Sequence, residues 1–198
     1  MSSKKISTFL IFLIISFSNI AKVFSIEPDV FVQSTVNRAS KVLSSNISKE
    51  EKIEKLKIIA DETVDVKIIG LYTLGSYRKE LNDDQKKKYS ILFKKYFLKT
   101  FSSRLAEYSN PEIEVTSKKK LNEKYTIVSS SLIATEKRPE VKIDWRIYTK
   151  DSENPIIRDL IIEGLSLART QKEEFSSIIQ TNDGNINALF ESLKNFIK

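Results

Sequence analysis

The chain contains no cysteine and no histidine, four glycines and one tryptophan in 198 residues. The missing cysteine excludes disulfides, thiol catalysis and lipid attachment at a lipoprotein cysteine, so stability must come from burial. Without histidine there is no Ser-His-Asp triad and no ordinary zinc site. The four glycines, at 70, 75, 164 and 184, each read as an element boundary, and none belongs to a phosphate-binding loop.

Long apolar runs are equally scarce. One runs from Ile6 to Phe17 behind Lys4 and Lys5; at about 12 residues it falls short of the roughly 20 needed to cross a bilayer. With Val23-Phe24-Ser25 behind it, the segment is expected to be a secretory signal peptide over residues 1–25, leaving residues 26–198 as a single domain. Cleavage removes three lysines and no acid, so the formal charge falls from +7 to +4. That mild surplus, spread along helices and in the short runs Lys86–Lys88 and Lys118–Lys120, is no nucleic-acid footprint.

What remains divides by hydrophobic period: helical over 27–109, alternating over 112–163, helical again over 170–197. A first helix starts near Asp29, and Ser48 with Glu51 forms a capping box for a second. A short helix spans Asp65 to Leu74, and Asn82 or Asp83 caps a long helix to about Tyr108. The stripe of that helix is Tyr89, Leu92, Phe93, Tyr96, Phe97, Phe101, Leu105 and Tyr108; it would run roughly 40 Å and reads either as plain core or as the wall of a site. Strands are expected at Ile113–Leu121, Tyr125–Thr135, Val141–Thr149 and Ile156–Glu163, with links short enough to force an antiparallel meander. Thr170 and Glu173 form a second capping box, and Gly184 separates two final helices. The fold class is therefore α+β, with N-terminal and C-terminal helices packed on a four-stranded antiparallel sheet.

Few residues offer chemistry. Ser166, in Gly164-Leu165-Ser166-Leu167-Ala168, lacks the second glycine of a nucleophile elbow and reads as a hydroxyl serving the turn. Asp144, Asp159 and Glu163 are the remaining carboxylates from which a glycosidase-like pair could be drawn, but Asp144 falls on the wet face of its strand. No calcium loop is present in Asn182-Asp183-Gly184-Asn185.

The order of "YTLGSYRKELNDDQKKKYSILFKKYFLKTFSSRLAEY", "VKIDWRIY" and "RDLIIEGLSLARTQKEEFSSII" resembles the MlaC family, also called the toluene-tolerance family, of periplasmic phospholipid-binding proteins. Its best-matched positions are Leu74, Gly75, Tyr77, Arg78, Gln85 and Asp159 with Glu163 through Leu167. One departure is Pro155-Ile156-Ile157-Arg158, where the family commonly carries an aromatic residue ahead of the aspartate.

The resemblance implies a cone similar to that of nuclear transport factors, with the acyl chains inside and the headgroup outside. It implies a periplasmic carrier moving phospholipid between an outer-membrane lipoprotein complex and an inner-membrane ABC transporter with an MCE-domain subunit, with no cofactor beyond its cargo and no enzymatic activity. Two tails hold about 30 methylenes, so their exposure costs on the order of 20 kcal/mol; a soluble carrier must cover them, and release requires docking to another apolar conduit. Expected wall residues are Ile127, Val141, Ile143, Trp145, Ile161, Leu165 and Leu167 from the sheet side, with Leu71, Leu74, Phe93, Phe97 and Phe101 from the helices. Arg78 or Lys142 is the expected headgroup cation. Two other readings remain: a cone-shaped enzyme, which needs an ionisable group inside the cone, and a protein-binding adaptor, which needs a filled core and an exposed apolar patch.

Overall fold

The first described helix, α1 (Pro28–Leu43), places proline at a position where a missing N–H costs nothing, and its start is tied to the sheet by Lys118, whose Nζ lies 2.5 Å from Glu27 and 2.8 Å from Asp29. The computed structural model describes residues 25–136 and 138–198. The expected signal peptide, Ser25 excepted, lies outside the described residues.

Helix α2 (Lys49–Thr63) opens with the Ser48–Glu51 capping box, and α3 (Val66–Thr73) with Asp65, which accepts a hydrogen bond from the Ile68 amide. A 3₁₀ turn (Gly75–Lys79) follows, then α4 (Asp83–Leu105), capped reciprocally by Asn82 and Gln85. Gly70 is not at a boundary as expected. It lies inside α3, where the Phe93 ring of α4 presses so close that a Cβ would sit 2.6 Å from Cδ1.

The sheet runs β1 (Ile113–Asn122), β2 (Tyr125–Leu132), β3 (Val141–Tyr148), β4 (Ile156–Ile162) and β5 (Leu165–Ser166) in sequential antiparallel order. It has five strands where four were expected. The fifth arises because Glu163 and Gly164 both take positive φ, 49° and 81°, the geometry of a two-residue hairpin. The chain then passes into α5 (Leu167–Gln180) and α6 (Ile186–Ile197). The capping box expected at Thr170 and Glu173 does not start α5: the cap is Ser166, four residues before Thr170. Ser166 Oγ accepts from the Arg169 amide, and Thr170 Oγ1 donates back to the Ser166 carbonyl within the first turn.

Helix α1 lies along β1 and β2, while α3 and α5 meet β4; α2, α4 and α6 add a second helical layer. One sheet face is therefore covered. Along β2 and β3 the inward residues, among them Val128, Leu132, Ile143, Trp145 and Ile147, are buried, while their neighbours point outward. On that outer face Arg158 stacks 3.7 Å from the Tyr148 ring centroid, donates to Tyr125 Oη at 3.1 Å and pairs with Asp65 at 2.9 Å.

Candidate functional site: an apolar cavity between helices and sheet

The helices and the sheet do not close on one another everywhere. Where α1, α2 and the C-terminal half of α4 face the inner sheet surface they leave a cavity of about 270 Å³, and a second of about 170 Å³ continues beneath α4 toward α5. Val64, Phe101, Arg104, Ile157, Leu160 and Leu167 border both, so the two adjoin like the arms of a fork and share one wall.

Sequence explains why the walls are inert. Val141, Ile143 and Trp145 face inward by strand alternation, and the Trp145 indole spends its N–H on Ser130 Oγ at 2.8 Å, leaving only hydrocarbon exposed. On the helical side Thr35 and Thr63 return their hydroxyls to backbone carbonyls one turn earlier, and Ser40 donates to the Pro111 carbonyl. With these polar groups satisfied, a guest in the larger branch meets dispersion and desolvation rather than directed bonds. Arg104, exposed on α4, is among the described residues the one charged residue bordering that branch.

The smaller branch is more polar at its rim. Tyr96 Oη donates to Gln171 Oε1 at 3.0 Å, and Gln171 Nε2 donates to Glu174 Oε2 at 2.8 Å. Burial, and after it the Glu174 carboxylate, raises the Tyr96 phenol above its ordinary value, while Arg104 acts in the opposite sense. Tyr96 thus feels both charges.

Of the expected wall residues, Val141, Ile143, Trp145, Phe101 and Leu167 border the larger branch and Phe93, Phe97, Phe101 and Leu167 the smaller. The others lie elsewhere. Leu74 is wholly buried in the solid core, and Leu71 is half-buried on α3 away from either branch. Ile127 pairs with Arg146 on the outer sheet face, and Leu165 is 68% exposed on β5.

Ile161 points outward for a specific reason. Arg146 pairs with Asp159 and Ile147 with Ile157, so Arg158 is an extra residue in β4, and this bulge shifts the alternation: Ile157, then Leu160 and Ile162, face the cavity. Neither expected headgroup cation borders either branch; Arg78 is exposed in the 3₁₀ turn and Lys142 on the outer face of β3. The missed residues are Arg104, Leu160, Ile162 and the inward faces of α1 and α2. Arg104 was legible, since it follows Phe97 and Phe101 at helical spacing along one stripe.

The three candidate carboxylates are structural. Asp144 accepts from Ser129 Oγ at 2.6 Å and Glu163 from the Lys142 amide at 2.5 Å. Asp159, 4% exposed, accepts from Ser166 Oγ at 2.6 Å and from the Ala168 amide at 3.1 Å, with Arg146 Nη1 at 3.6 Å. It pins the start of α5 to β4 beside the fork.

The family model for MlaC protein matches residues 33–195. The chain belongs to the MlaC family. A solved structure of a phospholipid-binding protein from Ralstonia solanacearum, in complex with a phospholipid, is similar at a TM-score of 0.72, covering 87% of this chain and 97% of that one at 17% identity. At that identity the likeness establishes a shared fold, helices packed on an open antiparallel sheet, for this MlaC-family chain.

Proposed function

We propose that this MlaC-family chain is a soluble periplasmic phospholipid carrier, the binding component of an Mla-type ABC transport system. It holds the acyl chains in the forked space and leaves the headgroup at the rim, in a cone similar to that of nuclear transport factors. It receives lipid from one complex and yields it to the other, the partners being an outer-membrane lipoprotein complex and an inner-membrane transporter with an MCE-domain subunit.

The observation that carries this reading is the mainly apolar space between helices and sheet, whose larger branch has inward hydroxyls turned back to the backbone at Thr35, Thr63 and Ser40 and, among the described residues, one exposed cation at its border. A space of some hundreds of cubic ångströms left empty in a core is costly, because protein interiors otherwise close-pack. Its retention fits a guest. An enzyme would need ionisable groups converging on substrate, and the three candidate carboxylates are instead engaged in holding strands and turns together. The phospholipid bound by the Ralstonia protein supports the same class of guest.

Native mass spectrometry of protein purified without detergent, followed by lipid extraction, tests the reading. The expected result is an adduct with the mass of a phospholipid. Bare protein that also takes up no lipid from vesicles would overturn it.

A further inference from the structure

The fork has a rim that carries both signs of charge. Arg104 borders both branches, yet its guanidinium makes no hydrogen bond or ion pair with the described residues, whereas Arg38, Arg146 and Arg158 are paired with Glu62, Asp159 and Asp65. Arg78 and Arg169 are also without a side-chain partner, but neither borders the cavities. The position of Arg104, with its stem along the apolar wall and its head in water, suits a group that must meet an anion at the end of a hydrocarbon guest.

Glu174 lies on the same rim, on α5. It borders the smaller branch together with Arg104 and is held by Gln171, which is in turn held by Tyr96. That hydrogen-bonded chain fixes one carboxylate beside the exit without neutralising it, and no ion pair joins it to Arg104. Leu167, 40% exposed, borders both branches as well, so the mouth combines an apolar lip with the Arg104 cation and the exposed Glu174 carboxylate, while Asp159, which lines the same branch as Glu174, is buried and already accepts from Ser166 and Ala168.

We propose that this rim reads the headgroup: Arg104 takes the phosphate and Glu174 takes a headgroup ammonium, so the chain prefers a zwitterionic phosphoethanolamine lipid over one of net negative charge. The inference rests on the carrier reading above. A diester phosphate offers the planar guanidinium two oxygens, and an ammonium offers the carboxylate a charge-assisted donor. A headgroup ending in neutral hydroxyls satisfies Arg104 but offers Glu174 only an uncharged donor, a weaker partner than an ammonium.

Delipidated protein is equilibrated with vesicles containing equal parts of phosphatidylethanolamine and phosphatidylglycerol with identical acyl chains, and the bound lipid is resolved by native mass spectrometry. The wild type is expected to take phosphatidylethanolamine in about fivefold excess. Glu174→Gln should bring the ratio close to one by lowering phosphatidylethanolamine loading toward that of phosphatidylglycerol. Arg104→Met, which keeps the apolar stem, should lower loading of both lipids about tenfold, with Arg104→Lys in between. Both side chains are exposed, and thermal melting confirms folding of each variant.

A wild-type ratio near one, an unchanged ratio in Glu174→Gln, or undiminished loading in Arg104→Met would overturn the inference and leave the carrier reading standing. Wild-type protein that takes up neither lipid would overturn the carrier reading itself.

Discussion

The two halves of α4 carry the same aromatic stripe and do opposite things with it. In the N-terminal half Tyr89 and Phe93 are 1% and 2% exposed, packed against Phe190 of α6, Phe175 of α5 and the bare backbone of Gly70. Toward the C-terminus Phe97 and Phe101 stack on each other, 5.5 Å between centroids and 9° between planes, and border open space. The difference lies in what stands opposite. Three helices crowd the first half, while the second passes over the concave sheet, whose residues stop short of it. An aromatic helix can therefore be core at one end and wall at the other, without any change in its residue pattern.

Truncation should separate the halves most widely. Phe93→Ala removes a ring buried against Tyr89, Phe175 and Gly70, with only one edge toward the smaller branch, and should cost about 3–5 kcal/mol of unfolding free energy. Phe101→Ala, which enlarges a space already there, should cost clearly less, since the lost ring had fewer neighbours to lose. Denaturant melts of the two variants read the contrast, and equal losses would dissolve it.

Added bulk gives the next largest effect. Gly70→Ala drives a methyl into the Phe93 ring and should destabilise by roughly 1–3 kcal/mol. Ala60→Phe instead grows into the larger branch; it should leave stability within about 1 kcal/mol or raise it, as cavity filling does, while excluding lipid. A melting curve paired with a lipid-loading assay checks both, and a strongly unstable Ala60→Phe would mean that the space is not available.

The smallest effect is a titration confined to the solid half. Burial raises the Tyr89 phenol well above its ordinary value. Its hydroxyl lies 2.8 Å from Thr73 Oγ1, whose own proton goes to the Gly70 carbonyl, so Tyr89 is the donor and must keep its proton. The folded state therefore holds a proton that the unfolded chain releases near pH 10, and stability present below that pH declines as pH rises above it. Tyr89→Phe should lose about 1 kcal/mol at neutral pH and flatten the part of the alkaline decline that this phenol causes. An unchanged alkaline limb would assign the decline to other groups.

Much of the fold was legible in the sequence. The Ser48–Glu51 capping box marks α2, Asn82, one of the two caps expected for the long helix, starts α4, and the alternation of Val141, Ile143, Trp145 and Ile147 gives the inner face of β3. Ser166 reads correctly as a turn hydroxyl. Less of the candidate site was legible. Ile161 was misplaced because one extra residue at Arg158 reverses the phase of β4, and nothing in the alternation of an isolated strand reveals where its partner stops pairing. Arg78 and Lys142 were chosen for charge and resemblance, and the fold set them away from the mouth.

By itself the sequence determined the order of the helices and of the first four strands, the buried face of regular elements such as β3, and the exclusion of thiol and histidine chemistry. These are properties of a segment and its own periodicity or residue types. Tertiary structure decided that the buried faces do not all meet, that the sheet turns once more at Glu163 and Gly164, and that Arg104 stands where both branches open. Periodicity tells which side of an element leaves water, but the distance to the surface facing it depends on every other element, and that distance separates a packed core from a hollow one.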